Sequence, residues 1–282
     1  MAETQSIPTY QLNDGGTLPA IGFGTYPLKG DEGVKSLVSA LETGYRLLDT
    51  AVNYENETEV GEALRRSGLP RDQVQVASKL PGRHHAYDDA VASVRGSLDR
   101  LGLDYLDLHL IHWPNPSVAK YVEAWQALVD LRKEGLVRSI GVSNFKETHL
   151  TRIIDASGVT PAVNQIELHP RFPQEEMRRV HERLGIRTEA WSPLGKRTAP
   201  LEEPAVTGAA ERLGVTAGQV ILRWHFQMGS LPIPKSGNSE RQRQNLDIFG
   251  FELTEAEVAG ISDLAQVDGR RFGGDPDTHE EM

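Results

Sequence analysis

Residues 44–61 read GYRLLDTAVNYENETEVG, a short apolar strand that ends in a carboxylate and is followed by the start of a helix. Asp49 closes the strand, and Tyr54 follows five residues later. Asn56 and Glu59 have the spacing of a helix cap and its reciprocal partner. The pattern predicts that an acid and a phenol reach one end of the fold together. Taken singly, Asp49 is better explained as a turn carboxylate and Tyr54 as a surface aromatic, so the remaining strands must decide.

The same unit of strand and helix recurs along the chain. Eight short apolar segments are candidate strands: IGFGT from Ile21, RLLDT from Arg46, VQVASK from Val74, DLHLIH from Asp107, RSIGVSN from Arg138, AVNQIE from Ala162, IRTEAWS from Ile186 and LPIPKS from Leu231. Apolar residues between them recur at helical spacing, and glycines stand at the predicted helix ends. Continuously apolar strands suit a parallel sheet buried on both faces. Eight such units predict an α/β fold, a (β/α)8 TIM barrel.

Additional elements flank the eight units. Residues 7–19 carry Asn-Asp-Gly-Gly between two extended pieces, which predicts an N-terminal β-hairpin. Further helices are predicted at Pro204–Leu213, Thr216–Met228 and, as an extra C-terminal helix, Thr254–Asp263. The tail from Gly269 is predicted to be a loop over one mouth of the barrel. No linker interrupts the chain, so we expect residues 1–282 to form one domain.

The composition limits the class of protein. A chain of 282 residues fits one such barrel, which needs about 250. With 40 acidic and 30 basic residues the net charge is −10, which argues against a nucleic-acid or anionic-membrane surface. The absence of cysteine excludes disulfides and thiolate chemistry and fits a reducing compartment. Without a signal pattern or a membrane-length apolar run, we expect a cytoplasmic monomer.

Polar residues stand at the ends of all eight predicted strands, and in a barrel those ends face one mouth. They are Thr25, Asp49, Lys79, His112, Ser143 with Asn144, Gln165 to Glu167, Ser192, and Lys235 with Ser236. Single polar strand ends often serve only the loop backbone. A set that holds an Asp, a Lys and a His, with a Tyr close by, indicates an active site instead.

These side chains predict a relay that donates a proton. A phenol is a poor acid at neutral pH because its pKa is about 10. An ammonium group beside it should lower that pKa, and a carboxylate should hold the ammonium in place. We therefore predict Tyr54 as the acid, Lys79 as its tuner and Asp49 as the anchor of the lysine. His112 is predicted to be a neutral donor that orients a carbonyl oxygen, whereas His109 points to the other face and is structural.

The segment PKSGNSERQRQN predicts a site for an anion at the same mouth. Asn238 or Ser239 can cap a helix that starts there, with Lys235, Arg241 and Arg243 nearby. A helix N-terminus flanked by cations suits a phosphate, so we favour a phosphorylated cofactor over a solvated basic face. The segment GFGTYP lacks the third glycine of a dinucleotide fingerprint. Hydroxyl and amide groups that suit a carboxamide, and a flat ring that suits stacking, are present at Ser143, Asn144, Gln165 and Trp191.

The motifs GYRLLDTAVNYENETEVG, GVSNF, VNQIELHP, AWSPLG and IPKSGNSERQRQN resemble, in order, those of the aldo-keto reductase family. The resemblance covers nearly the whole chain, and AWSPLG, IPKSGN and DPDTH resemble the bacterial 2,5-diketogluconate reductase subgroup. It implies an enzyme that uses NADPH to reduce aldehydes and ketones, including dicarbonyl or sugar-acid carbonyls, to alcohols. The implied catalytic tetrad is Tyr54, the proton donor, with Asp49, Lys79 and His112.

The resemblance also implies which residues bind ligands. The implied cofactor contacts are Ser143, Asn144, Gln165 and Trp191 at the nicotinamide, Lys235, Ser236, Asn238, Arg241, Gln244 and Asn245 at the adenosine end, and in addition Gly24, Thr25, Ser192 and Leu194. Lys235 and Arg241 would bind a 2′-phosphate. The implied substrate walls are Tyr26, Trp113 and Phe272. Trp191 replaces the tyrosine, and Gly237 the valine, of many family members.

Two other functions stay open on the sequence alone. A barrel hydrolase or lyase could use Asp49 and Glu167 as acid and base, or a metal bound by His84, His85, His112 or His169. The first two of these histidines lie in a loop that reads as solvated, and we predict no metal. The other possibility is a module that senses a nicotinamide cofactor with little turnover. The complete set of Asp, Tyr, Lys and His argues for the reductase, with a small carbonyl compound as its partner.

Overall fold

The parallel sheet of this protein closes on itself. The computed structural model describes residues 7–196, 200–267 and 269–281. Its strands are β1 (Thr9–Gln11), β2 (Thr17–Pro19), β3 (Phe23–Gly24), β4 (Leu47–Asp49), β5 (Gln75–Leu80), β6 (Leu106–Ile111), β7 (Val137–Ser143), β8 (Val163–Glu167), β9 (Arg187–Trp191) and β10 (Leu231–Ile233). Strands β3 to β10 neighbour one another in chain order. Gly22 and Gly24 donate backbone hydrogen bonds to Pro232 and Pro234, which joins β3 to β10, so the predicted barrel is confirmed.

Helices follow the barrel strands, as the sequence pattern predicts. They are α1 (Gly30–Thr43), α2 (Glu57–Ser67), α3 (Tyr87–Leu101), α4 (Tyr121–Lys133), α5 (Glu147–Ser157), α6 (Glu175–Leu184), α7 (Pro204–Leu213), α8 (Ala217–Gln227), α9 (Ser239–Leu246) and α10 (Glu255–Ser262). The antiparallel hairpin β1–β2, the long unit with α7 and α8, and the extra helix α10 are therefore all confirmed. Among the described residues, no helix is both long enough and apolar enough to span a membrane.

Helix α3 illustrates why the pattern folds in this way. Its apolar residues Val94, Leu98 and Leu101 recur at spacings of four and three, so they share one face, which is buried. The helix ends at Gly102, whose φ of 67° is a left-handed conformation that glycine adopts without strain. Each large apolar side chain buried in this way contributes about 1.5–3 kcal/mol to folding.

Asn56 stands at the N-cap position of α2, as predicted, but the predicted reciprocal hydrogen bonds between the cap and residue 59 do not form. Asn56 precedes α2, but its buried side chain accepts a hydrogen bond from Thr50 Oγ1 (2.7 Å) and donates to the carbonyls of Thr25 (3.1 Å) and Leu28 (3.0 Å). Glu59 accepts from the backbone N–H of Gly30, the first residue of α1, at 2.9 Å. A buried amide must satisfy its own donors and acceptor, and strand-end groups do so here. Asn56 therefore ties the ends of β3 and β4 together beside the barrel mouth.

Candidate active site

A cavity of about 890 Å³ opens at the carboxyl ends of the barrel strands. Its lining includes most of the residues predicted from the sequence: Gly24, Thr25, Tyr26, Asp49, Tyr54, His112, Trp113, Asn144, Gln165, Trp191, Ser192, Leu194, Lys235 and Arg241. Lys196 and Leu201, in the loop after β9, also line the cavity, and no sequence pattern predicted this. The barrel topology thus gathers side chains from distant parts of the chain around one space.

Lys79 is the centre of a charged cluster at the floor of this cavity. Its fully buried ammonium lies 2.6 Å from Asp49 Oδ1 and donates to the carbonyl of Thr50 at 2.9 Å. The same nitrogen is 3.4 Å from the hydroxyl of Tyr54, which ends a short 3₁₀ turn after β4. The second oxygen of Asp49 accepts from Gln165 Nε2 at 2.9 Å. Neighbouring strands therefore hold the acid, the ammonium and the phenol in contact, as predicted.

The charges of this cluster act on one another. Burial alone would lower the pKa of Lys79, but Asp49 and Tyr54 outweigh it, so the pKa lies above its ordinary value and the lysine is charged. Burial raises the pKa of the Tyr54 phenol, Lys79 lowers it, and Asp49 and Glu281 raise it again. Lys79 thus lowers the pKa of the phenol, as predicted, but burial outweighs the lysine and the net pKa lies above its ordinary value. Tyr54 therefore retains its proton at neutral pH.

His112 stands beside the phenol at the end of β6. Its ring lines the cavity and packs edge-on against the ring of Tyr54, with centroids 5.8 Å apart. Its Nδ1 lies 2.7 Å from Oε1 of Glu281, a residue for which the sequence pattern gave no signal. His109 is fully buried, and burial lowers its pKa to about 3. His109 is thus the neutral, structural histidine of the two, as predicted.

The polar groups predicted to hold a carboxamide are hydrogen-bonded to one another. Trp191 Nε1 donates to Asn144 Oδ1 at 2.8 Å, and Asn144 Nδ2 donates to the carbonyl of His112 at 3.0 Å. Ser143 Oγ donates to the carbonyl of Gln165 at 2.9 Å and lies behind the cavity wall. Asn144 has a φ of 61°, a left-handed conformation that asparagine tolerates better than most residues. This network fixes the orientation of the indole and the amide at the rim.

The outer end of the cavity carries positive charge. Helix α9 begins there, and the side chain of its cap, Asn238, accepts from the backbone N–H of Arg241 at 3.0 Å. Lys235 and Arg241 are exposed and line the cavity, and within residues 7–196, 200–267 and 269–281 neither is paired with a carboxylate. Buried Ser236 accepts from Arg241 Nε at 3.4 Å. The helix terminus and the two cations fit an anionic group.

Several predicted ligand residues lie outside the cavity lining. Ser236 and Asn238 brace the start of α9, Asn245 is buried in it, and Gln244 donates to Glu240 on its exposed side. Phe272 packs against the ring of Trp191, with centroids 5.1 Å apart. Its contact is therefore with the indole that lines the cavity.

The geometry does not assemble the alternative sites. Glu167 is buried outside the cavity lining, where Oε1 accepts from a tail N–H at 2.7 Å and contacts His169, so it does not face Asp49. The loop predicted to be solvated is partly buried, because His85 is 1% exposed and His84 contacts a serine of α3. Among the described residues, no three His, Asp or Glu side chains are grouped to hold a metal.

Comparison with known proteins agrees with this geometry. A family model described as the aldo/keto reductase family matches residues 20–266. 2,5-Diketo-D-gluconic acid reductase B of Corynebacterium sp. (strain SHS752001) is 59% identical over 277 residues, or 98% of this chain and 99% of that protein.

Two solved structures are also similar over most of the chain. An aldo/keto reductase from Brucella melitensis is 45% identical with a TM-score of 0.89, covering 92% of this chain and 100% of that one. A mutant of Gox0644 in complex with NADPH is 42% identical with a TM-score of 0.93, covering 98% and 100%. The chain therefore belongs to the aldo/keto reductase family.

Proposed function

We propose that this aldo/keto reductase reduces aldehydes and ketones with NADPH, with Tyr54 as the group that protonates the carbonyl oxygen. The observation that carries the proposal is a single cavity with two different ends. A phenol in contact with a charged lysine lies at its floor, and at its outer end lie two cations that pair with no carboxylate among the described residues. A dinucleotide with an extra phosphate on its adenosine ribose carries the negative charge that the outer end would bind.

The residues present fit such a cofactor. Oγ1 of Thr25 is buried at the cavity wall and has no hydrogen-bond partner in the described part of the chain, so a polar ligand atom can satisfy it. The cavity volume lies within the range of about 300–1,000 Å³ that is typical of ligand sites. We assign Lys235 and Arg241 to the phosphate and the Trp191 indole to the nicotinamide. The NADPH complex of Gox0644, a relative with the same fold, supports this assignment.

The remaining predicted contacts divide between the two ends. We assign the nicotinamide end to Gly24, Ser143, Asn144, Gln165, Ser192 and Leu194, and the adenosine end to Ser236, Asn238, Gln244 and Asn245. Tyr26 and Trp113 are assigned to the substrate wall because they line the cavity beside Tyr54. Phe272 supports that wall through its contact with the indole.

The chain's own residues control the proton. When bound, NADPH supplies the hydride that the carbonyl carbon accepts. Tyr54 Oη gives its proton to the carbonyl oxygen, and the ammonium of Lys79, 3.4 Å away, stabilises the negative charge that develops on the phenol oxygen. Asp49 keeps that ammonium charged and in place at 2.6 Å. His112 faces the same oxygen from the side and orients the carbonyl.

A carbonyl panel tests the proposal directly. The protein is mixed with NADPH and, in turn, with simple aldehydes, α-dicarbonyls and keto sugar acids, and the nicotinamide absorbance is followed. The name of the corynebacterial relative makes 2,5-diketo-D-gluconate one member of the panel. We expect NADPH consumption and alcohol products with more than one class. Tight NADPH binding without consumption on any member would support a cofactor sensor instead.

We further propose that residues 1–282 form one domain that acts as a monomer in the cytoplasm and binds no nucleic acid. Hydrogen bonds between the first and last barrel strands support a single unit. The absence of cysteine and the net charge of −10 suit a reducing compartment and a small-molecule partner. Light scattering on the purified protein tests the monomer.

A further inference from the structure

The loop after β9 carries a cation to the mouth of the active-site cavity. The ammonium of Lys196 lies 4.5 Å from the ring centroid of Phe272 and 6.0 Å from that of Tyr26. The chain reaches this point through a turn in which the backbone N–H of Gly195 donates to the carbonyl of Ser192 at 2.8 Å. Lys196 is therefore held at the cavity by its own loop and by two aromatic rings from distant parts of the chain.

Aromatic rings position this cation without neutralising it. The face of a ring attracts an ammonium group through its quadrupole, whereas a carboxylate would cancel the charge. Within residues 7–196, 200–267 and 269–281, no carboxylate lies at ion-pair distance from Lys196. The lysine is exposed, and the rings of Tyr26 and Phe272 are 54% and 38% exposed. The charge of Lys196 is thus open to a ligand that enters the mouth.

Lys196 differs from the other cations of the cavity in its surroundings. Lys79 is buried and paired at the floor, whereas Lys235 and Arg241 line the outer end at the start of α9. Lys196 instead contacts rings that belong to the proposed substrate wall or support it. Its charge therefore lies toward the substrate, whereas the pair assigned to the phosphate lies at the outer end.

Tyr26 links this cation to the proposed reaction. Its ring lies 5.2 Å from the ring of Tyr54, measured between centroids, and it is also one of the two rings that contact Lys196. Tyr54 and Tyr26 both line the cavity, and so does Lys196. A small molecule whose carbonyl meets Tyr54, and which extends along the ring of Tyr26, would bring its far end to the ammonium.

We propose that Lys196 is a specificity-determining residue that binds a carboxylate at the far end of the carbonyl substrate. The proposal rests on the proposed reductase function and names the substrate class of the same cavity. An ammonium and a carboxylate form a charge-assisted hydrogen bond, and the ring of Tyr26 suits the apolar part between the two polar ends of such a molecule. A carbonyl compound that carries a carboxylate should be preferred over a neutral compound of the same shape.

A matched pair of substrates tests the charge. 4-Formylbenzoate and its methyl ester present the same aromatic aldehyde and differ in whether the second group is charged. Lys196→Met keeps the apolar stem and removes the ammonium, so kcat/KM for 4-formylbenzoate should fall roughly tenfold, mostly through KM. The change for the methyl ester should be much smaller. Because each aldehyde is compared between two proteins, its intrinsic reactivity cancels.

Further variants separate this role from other effects of charge. Lys196→Arg should keep most of the preference, and Lys196→Glu should discriminate against 4-formylbenzoate more strongly than Lys196→Met does. Lys133→Met removes a positive charge at the end of α4 that faces away from the mouth, and it should leave the preference as in the wild type. Lys235→Met should weaken NADPH binding and affect both aldehydes alike. Added salt should reduce the preference of the wild type, because Lys196 faces solvent.

Equal losses with the two aldehydes would overturn the proposal, and a weaker NADPH complex in Lys196→Met would place the ammonium on the cofactor instead. A binding experiment makes the same comparison without turnover. 4-Methylbenzoate and 4-methylbenzamide, neither of which can be reduced, are titrated with NADP⁺ present while tryptophan fluorescence is followed. The wild type should bind the carboxylate more tightly, and Lys196→Met should lose this difference. A protein that reduced no carbonyl would refute the proposed function, and the binding comparison would still decide the carboxylate site.

Discussion

The two ends of the cavity use positive charge in opposite ways. At the floor, Lys79 is fully buried and bound by Asp49 at 2.6 Å, so its charge is satisfied within the protein. At the outer end, Lys235 and Arg241 are exposed, and no carboxylate of the described ranges pairs with them. A paired, buried cation can tune a neighbouring group without attracting a ligand. An unpaired cation at a helix start is available to a ligand anion, so the two ends should respond differently to mutation.

The largest difference is expected for Tyr54→Phe, which removes the proton donor and leaves the outer end intact. General acid catalysis contributes on the order of 10²–10⁴-fold, so kcat for carbonyl reduction should fall by that factor. The dissociation constant for NADPH, measured by fluorescence titration, should stay within about twofold. Tyr87→Phe, on the exposed side of α3, is the control. Normal turnover of small aldehydes by Tyr54→Phe would show that another group is the acid.

Lys79→Met should lower the free energy of unfolding of the protein as well as its rate of carbonyl reduction. The substitution leaves Asp49 buried without its cation, and breaking a buried pair in this way costs about 3–5 kcal/mol. Urea unfolding measures the loss, and Lys133→Met, which breaks the exposed pair with Asp130, should change stability by at most about 1 kcal/mol. Adding Asp49→Asn to Lys79→Met should restore part of the loss. A difference of less than about 1 kcal/mol between the two lysine variants would contradict the buried pair.

Glu189 makes the floor sensitive to pH. It is fully buried on β9, where Gln165 and Lys79 act to lower its pKa but are outweighed. Burial, and then the charge of Asp49, raise its pKa to about 8, against about 4.3 in an unfolded chain. The native state therefore keeps a proton that the unfolded state loses, so stability should fall as pH rises between these values. The slope is at most about 1.4 kcal/mol per pH unit.

Glu189→Gln should remove this slope. Unfolding midpoints in urea at pH 5, 6, 7 and 8 should converge with those of the wild type at the acidic end and exceed them at pH 8. Glu176→Gln, an exposed position on α6, controls for the loss of one negative charge. Parallel pH dependences for the wild type and Glu189→Gln would mean that the buried carboxyl does not titrate in this range.

The floor was more predictable from sequence than its surroundings. Eight apolar segments indicated the barrel, and barrel topology alone placed the ends of β4 and β5 side by side, so the contact of Asp49 with Lys79 followed. Asn56 shows the limit of local spacing, because it occupies the predicted N-cap position but its side chain bonds to groups at strand ends instead of capping α2. The raised pKa of Tyr54 reflects burial, which sequence does not reveal.

The C-terminal tail, residues 269–281, was the part of the site that the sequence predicted least well. The tail was predicted to lie over one mouth, but no residue pattern linked Glu281 to His112, because their contact depends on the path of an irregular segment. The same holds for Lys196 and Leu201, whose loop positions in the cavity follow no period. Site residues at the ends of strands could therefore be predicted from the sequence, whereas site residues in loops and in the tail could not.

The smallest expected effect belongs to the outer end, where Arg241→Ala should weaken NADPH binding by roughly tenfold, the equivalent of about 1.4 kcal/mol. The loss should be much smaller for NADH, because NADH lacks the 2′-phosphate.

Since both the cation and the phosphate face solvent, added salt should weaken NADPH binding in the wild type more than in the variant. Unfolding in urea should be unchanged, because no carboxylate within residues 7–196, 200–267 and 269–281 loses its ion-pair partner. Arg243→Ala is the matched control, since Arg243 lies on the same helix but pairs with Glu240 at 2.6 Å. Equal losses for NADPH and NADH, or equal effects of the two arginine variants, would place the phosphate elsewhere and remove the contrast between the two ends.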